Sequence, residues 1–138
     1  MPLTLSVITP EHTVFEGSVQ SITVPSMDGV LTILQDHEPL IALLASGEMT
    51  VGQVEGRRHM AVHGGMVQVL ANTVQILTDA AELEEDVDEA RAAQALEQAQ
   101  KARAEANDRI GQADASAAIE RAIARLQLAQ RRKQRHRA

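Results

Sequence analysis

The side chains able to do chemistry fall into four groups. His59 and His63 stand four apart; on a helix that spacing would put both imidazoles on one side, ready to share a metal ion. His37 lies between Asp36 and Glu38, the surroundings of an acid–base pair. Residues 82–91 read ELEEDVDEAR, six of ten acidic, an oxygen-rich run that a divalent cation would favour. Residues 131–137 read RRKQRHR, a cationic run suited to an acidic partner.

The elements that must carry these groups argue against catalysis. His59 and His63 lie in strand-type sequence, where 59, 61 and 63 share one face, so they read as surface histidines. His37 reads as a turn histidine packed at one end of a sheet. The acidic run lacks the glycine and alternating spacing of a calcium loop and reads as a helix start, with Asp86 or Asp88 as the cap. With no Cys in the chain, thiolate chemistry, thiolate metal sites and disulfides are all excluded. There is no Gly-rich phosphate loop, no G-x-S-x-G and no H-E-x-x-H. Neither a catalytic residue nor a metal site is expected. Phe15 is the only aromatic residue, so single-stranded nucleic acid finds no stacking platform.

The 138 residues carry a net charge of −6, unevenly spread. Residues 1–113 hold 6 Lys/Arg against 17 Asp/Glu, whereas residues 114–138 hold 7 against 2. An acidic body with a basic end excludes general nucleic-acid binding and implies that the end meets something acidic, its own body included. No apolar run approaches the roughly 20 residues of a bilayer-spanning helix.

Up to residue 81 the pattern is β-type. Leu3, Leu5 and Val7 alternate with polar neighbours, and further apolar segments begin near Val19, Val30, Leu40, Met49, Met60, Met66 and Val74. Pro25 with Met27-Asp28-Gly29, residues 35–39, Gly52, Glu55-Gly56, Gly64-Gly65 and Ala71-Asn72-Thr73 punctuate them. Turn signals every 8–12 residues predict a small antiparallel sandwich with an aliphatic core. From Asp88 the period becomes helical. Ala92, Leu96, Ala99, Ala102 and Ala106 share one face of a first helix. Residues 107–111 read as a break, and Asp114 or Ser116 is expected to cap a second helix with Ala115, Ile119, Ala122, Leu126 and Ala129 on one face. Two helices joined by a short turn form an antiparallel hairpin. An Ala seam gains little on docking, at about 0.8 kcal/mol per buried CH₂, while Ala propensity keeps each helix formed. The fold class is α+β: an N-terminal antiparallel β-sandwich (1–85) followed by a C-terminal antiparallel α-helical hairpin (86–138).

Several motifs then fall in order: Ser6-Val7-Ile8-Thr9-Pro10; Gly29-Val30-Leu31-Thr32-Ile33-Leu34 with His37-Glu38-Pro39-Leu40; Gly47; Gly64-Gly65; Thr73-Val74-Gln75-Ile76-Leu77; Ala80-Ala81-Glu82; and Val87-Asp88-Glu89-Ala90-Arg91-Ala92. The set resembles the epsilon subunit of bacterial F-type ATP synthases along the whole chain, including its G-x-L-G-I-L-P-G-H-x-P-L signature and its I/L-D-x-x-R-A helix start. Thr32 replaces a Gly of the signature and Gln35-Asp36 replaces Pro-Gly; Asp tolerates a left-handed turn better than most residues.

The resemblance implies a non-catalytic rotor subunit that couples proton flow to ATP synthesis. Its sandwich would bind the gamma subunit and rest on the c-subunit ring through Asp28, Gly29, Val30, His37 and Glu38. Its hairpin would fold against the sandwich or extend beside gamma to the catalytic alpha/beta subunits and block hydrolysis. Arg121, Arg125 and residues 131–137 would then meet an acidic segment of the beta subunits. The implied location is peripheral, on the cytoplasmic face of the bacterial plasma membrane. No cofactor is required, and the resemblance implies regulatory ATP on the folded hairpin, held by Glu82, Asp88, Arg91, Ala92, Arg121 and Arg125. Arg121 and Arg125, four apart, share a helix face, whereas Gln98 stands where ATP-binding members carry another Arg. The alternative reading is a free-standing small-molecule-binding regulator with a β-sandwich and a helical lid.

Overall fold

Strict alternation makes the first strand: Leu3, Leu5 and Val7 are fully buried, while Thr4 is exposed. The computed structural model describes residues 2–137, except for the side chains of residues 136 and 137. Eight strands follow in order: β1 (Leu3–Ile8), β2 (Thr13–Val19), β3 (Ser21–Ser26), β4 (Gly29–Leu34), β5 (Leu40–Gln53), β6 (Gly56–Leu70), β7 (Thr73–Leu77) and β8 (Ala81–Leu83). A single 3-10 turn, Glu84–Asp86, leads to α1 (Glu89–Glu105) and α2 (Arg109–Arg137).

The ladder runs β2-β1-β7-β6-β5-β3-β4, with β8 pairing β6. It folds over on itself, because one core cluster takes Leu3, Leu5 and Val7 from β1, Ile22 and Val24 from β3, Ile33 from β4, Met49 and Val51 from β5, and Val74 and Ile76 from β7. The core is aliphatic as expected, and Phe15 lies at its margin beneath the Arg58 guanidinium, 5.5 Å from the ring centroid.

Three features of the sheet differ from the expectation. β2 and β8 are strands that the pattern did not single out, and β1 pairs parallel with β7, the exception to an otherwise antiparallel ladder. The segments on either side of Gly47, and those on either side of Gly64-Gly65, join into two long strands. The glycines permit a bend there, so they do not end a strand. Gly65 has φ +112°, and a Cβ on it would land on the Leu77 carbonyl. On its N-terminal side β6 pairs with β8, and on its C-terminal side with β7.

Asp88 caps α1, its Oδ1 accepting from the Ala90 and Arg91 N–H groups at 2.9 and 3.3 Å. The second helix starts earlier than expected. Asp108, and neither Asp114 nor Ser116, receives the Gly111 N–H at 3.0 Å, and Gly111 lies inside the first turn of α2. A first-turn glycine is tolerated because the cap takes up one of the unpaired N–H groups.

Candidate functional site

β6 has two faces with different owners. Met60 and Val62 point into the sandwich core; Ala61 and His63 point outward and are buried by α2. In register beside them on β5 stand Ser46, Glu48 and Thr50, opposite His63, Ala61 and His59. α2 lies along this double row. At its centre Leu128 and Ala129 pack with Ala61 and Val87 in a small cluster sealed from water.

Around that cluster the basic end meets the acidic body. Glu48 receives Arg131, Arg135 (3.7 Å) and His59 (2.9 Å); Glu84 receives Arg135, Glu89 receives Lys133 (2.6 Å), and Glu82 receives Arg125. Arg132 donates to the carbonyls of Glu84 (2.6 Å) and Val87 (3.2 Å), closing the backbone of the joint between sandwich and hairpin. The His136 and Arg137 part of the basic run lies outside the described side chains. Most of these cations remain half-exposed, Arg131 at 54% and Lys133 at 61%. Each such pair therefore contributes only about 0–1 kcal/mol and exchanges readily.

The surface reading of the histidines is corrected here. His63 is 3% exposed beneath α2, and His59 is tucked against Glu48. A strand face that looked solvated is covered because α2 brings its own apolar pair down onto Ala61. Sequence reasoning missed Leu128 and Glu48, and it placed Arg132 only within the cationic run, not on the carbonyls of the joint. A second stripe, Ala124 with Leu128, and the polar alternation of Ser46, Glu48 and Thr50 against buried Met49 and Val51 were the available signals.

Glu82, Asp88, Arg91, Ala92 and Arg125 come together around a cleft of about 190 Å³ at the joint, with Asp86 and Val87 completing its wall. Arg121, one turn before Arg125 and exposed, does not line it. Arg125 holds Glu82, and its Nε is buried without a partner among the described residues. Two guanidiniums, Arg91 and Arg125, and three carboxylates, Glu82, Asp86 and Asp88, thus line it.

Asp28, Gly29 and Val30 sit at the β3–β4 turn, whereas His37 and Glu38 follow the far end of β4. Gly29 and Leu34 bound that strand, about 17 Å apart, so the two groups do not share a turn. Between and beside them the surface is apolar: Val30 is 77% exposed, and Met27, Leu34, Ile41 and Leu43 are also exposed. The turn survives the replacement of Pro-Gly. Asp36 adopts φ 63°, its N–H donates to Asn72 Oδ1 (2.7 Å), and Asn72 Nδ2 donates back to Asp36 Oδ1 (3.2 Å). The His37 ring lies 2.7 Å from the Glu38 carbonyl through Nδ1, and the imidazole has no carboxylate bound to it among the described residues.

Among the described residues, no helix is long and apolar enough to cross a membrane. Comparison with known proteins then adds an independent line. Residues 2–84 match the family model described as "ATP synthase, Delta/Epsilon chain, beta-sandwich domain" and residues 85–130 the one described as "ATP synthase, Delta/Epsilon chain, long alpha-helix domain". The chain is similar to the ATP synthase epsilon chain of Herpetosiphon aurantiacus, 38% identical over 135 residues, covering 98% of this chain and 99% of that one. It is also similar to that of Synechocystis sp., 41% identical over 132 residues, covering 94% and 97%. Among solved structures the fold resembles a chain of the Euglena gracilis mitochondrial ATP synthase OSCP/F1/c-ring at TM-score 0.74 and 24% identity, covering 86% of this chain and 76% of that one. It likewise resembles a chain of the Tetrahymena thermophila mitochondrial ATP synthase central stalk/c-ring at 0.62 and 16%, covering 94% and 97%.

Proposed function

Because the chain belongs to the ATP synthase delta/epsilon family, a non-catalytic part of the central stalk, we propose that its hairpin is a detachable brake on ATP hydrolysis. Membership in the family replaces the free-standing sensor reading, and the partners are the gamma subunit, the c ring and the catalytic alpha/beta subunits. One observation carries the brake. α2 is held to the sheet by one small apolar cluster and a ring of half-exposed ion pairs, all drawn from a helix with strong intrinsic propensity. Such a helix leaves its dock without melting, and the cations that it frees at Arg125, Arg131, Lys133 and Arg135 suit an acidic segment on the hexamer. The experiment is removal of residues 109–138 in the assembled, coupled enzyme. Hydrolysis should rise while assembly persists; unchanged hydrolysis under inhibitory conditions overturns the brake, and lost assembly assigns the hairpin a structural role instead.

The ring-facing surface in this reading is β4 with its two flanking turns, Asp28, Gly29 and Val30 at one and His37 and Glu38 at the other, joined by exposed Val30 and Leu34. A Val30→Cys chain should cross-link to a c-subunit loop. Cross-links confined to the hexamer would remove that placement. Such a rotor subunit sits peripherally on the cytoplasmic face of a bacterial plasma membrane.

Regulatory ATP belongs to the cleft at the joint. Arg91 and Arg125 would hold phosphates once Glu82 releases Arg125, with Ala92 leaving room. The space is below the ~300 Å³ usual for a drug-sized ligand, so binding is weak and favours only the docked hairpin. Calorimetric titration of the full chain checks it: no heat at millimolar ATP, or heat untouched by Arg91→Ala and Arg125→Ala, rejects the site.

A further inference from the structure

His63 is the one buried titratable side chain among the described residues, and neither Nδ1 nor Nε2 has a hydrogen-bond partner among them. Its own backbone N–H is held by the β7–β8 connection, at the Thr78 hydroxyl (3.2 Å) and the Ala80 carbonyl (3.1 Å). Charged groups face it from α2, β8, the β7–β8 connection and β5. α2 brings the Arg121 and Arg125 guanidiniums, whose charges act on the ring. β8 brings Glu82, already engaged by Arg125. The β7–β8 connection brings Asp79, beside Gly64. β5 places Ser46 opposite His63, with Glu48 two residues on and held by His59, Arg131 and Arg135. Glu120 of α2 lines the neighbouring cleft with Ser46 and Gly64.

A neutral imidazole can lie in that setting. An imidazolium would be dry, without an acceptor, and beside two further cations. We propose that His63 is a proton-operated latch: α2 closes over the neutral ring, and uptake of a proton drives α2 off the sheet. The inference rests on the mobile hairpin proposed above and names what would move it.

Burial first, then Arg125 and Arg121, push His63 down to about 4 from its ordinary 6.5. Both arginines leave with α2, and so does the helix that covers the outward face of β6. The ring therefore returns toward its ordinary value in the open form. A depression confined to the closed form means that closure is at full strength above pH 6.5 and is lost as pH falls toward 4. Between pH 7.5 and 5.5 the open-to-closed ratio should rise about tenfold, the linkage factor for that depression. Acidification of the compartment in which the hairpin moves would thus raise the fraction available to brake the enzyme.

The full chain has no cysteine, so spin labels at Gln20→Cys on the sandwich and Gln130→Cys on α2 report separation directly. The measurement is made in the Leu128→Ala background, where the thinned seam populates the open form, at pH 7.5 and 5.5. The open-to-closed ratio should rise about tenfold; adding His63→Gln should abolish the rise, and adding His59→Gln should not. In the unaltered chain, the His63 ring followed by NMR should titrate well below 6.5. An equal pH response with His63→Gln, or ordinary titration of the ring in the closed chain, overturns the latch. Opening that is the same at both pH values overturns the latch alone. A hairpin that stays closed at both overturns the mobile hairpin and the latch with it. Should the His63→Gln chain fail to fold, the ring titration in the unaltered chain decides.

Discussion

Three single residues show how much of this molecule is local chemistry at special backbone positions. Gly65 turns β6 from one strand partner to another at φ +112°, with the Leu77 carbonyl where a side chain would go. Gly65→Ala should therefore lose about 2–4 kcal/mol of sandwich stability, since strain and collision add; a denaturant midpoint unchanged within error would contradict that geometry. Asp36 works the other way. It fills a left-handed position usually given to Gly, and offsets the cost by bonding to Asn72. Asp36→Ala should cost about 1 kcal/mol, whereas Asp36→Gly should cost less, a ranking that thermal unfolding would reveal. Asp88 gives the joint a definite helix start, and Asp88→Ala should remove about 1 kcal/mol of α1 stability, visible as fraying in amide exchange at Ala90 and Arg91.

At the scale of elements, the question is which helix docks. α1 contributes two small buried residues, Ala92 and Ala99, whereas α2 contributes Ala115, Ala122, Ala124, Leu128 and Ala129. α2 thus serves two surfaces, α1 on one side and the β5–β6 face on the other, and Leu128 is the one large buried side chain among its described residues. Leu128→Ala should cost about 2–4 kcal/mol, and the loss should fall on hairpin docking while the unfolding of the sandwich is unchanged. Loss of the sandwich itself in a strand-specific probe would show that the two are one cooperative unit. The ion pairs set a second dependence. Being half-exposed, they are screened by salt, so label-to-label separation between sandwich and α2 should grow as ionic strength is raised toward ~1 M at constant pH.

The whole molecule is a complete small core with a charged appendage laid over it. Every residue of the large cluster comes from β1 to β7. A chain ending at residue 86 should therefore fold cooperatively, with sharp strand circular dichroism, and a molten profile would show that α2 completes the core. That separation suits a stalk subunit: the sandwich keeps its partners while the hairpin moves. The acid body and basic end, visible as an imbalance of charge along the chain, become in space a neutralising contact between Glu48, Glu82, Glu84 and Glu89 and the cations of α2.

Much of this was legible in order of residues alone. Period-2 alternation placed β1, and apolar segments between turn signals placed β3, β4 and β7; the shift to a helical period after Asp88, with that residue as cap, placed the hairpin; the absence of catalytic motifs pointed away from enzymology. These are local properties, set by side-chain spacing and backbone preference within a few residues. Tertiary structure decided what depends on distant partners. Gly64-Gly65 became a bend because β7 approaches there, and Ala81–Leu83, where the acidic stretch begins, became a strand because β6 offered it an edge. Asp108 took the cap of α2, six residues ahead of Asp114, and received the Gly111 N–H. His63 changed most. Nothing within the strand distinguishes it from His59, and only the placement of α2 over Ala61 makes it dry, unpartnered and set beside two arginines, since burial is a property of what lies above a residue and not of its neighbours in the chain.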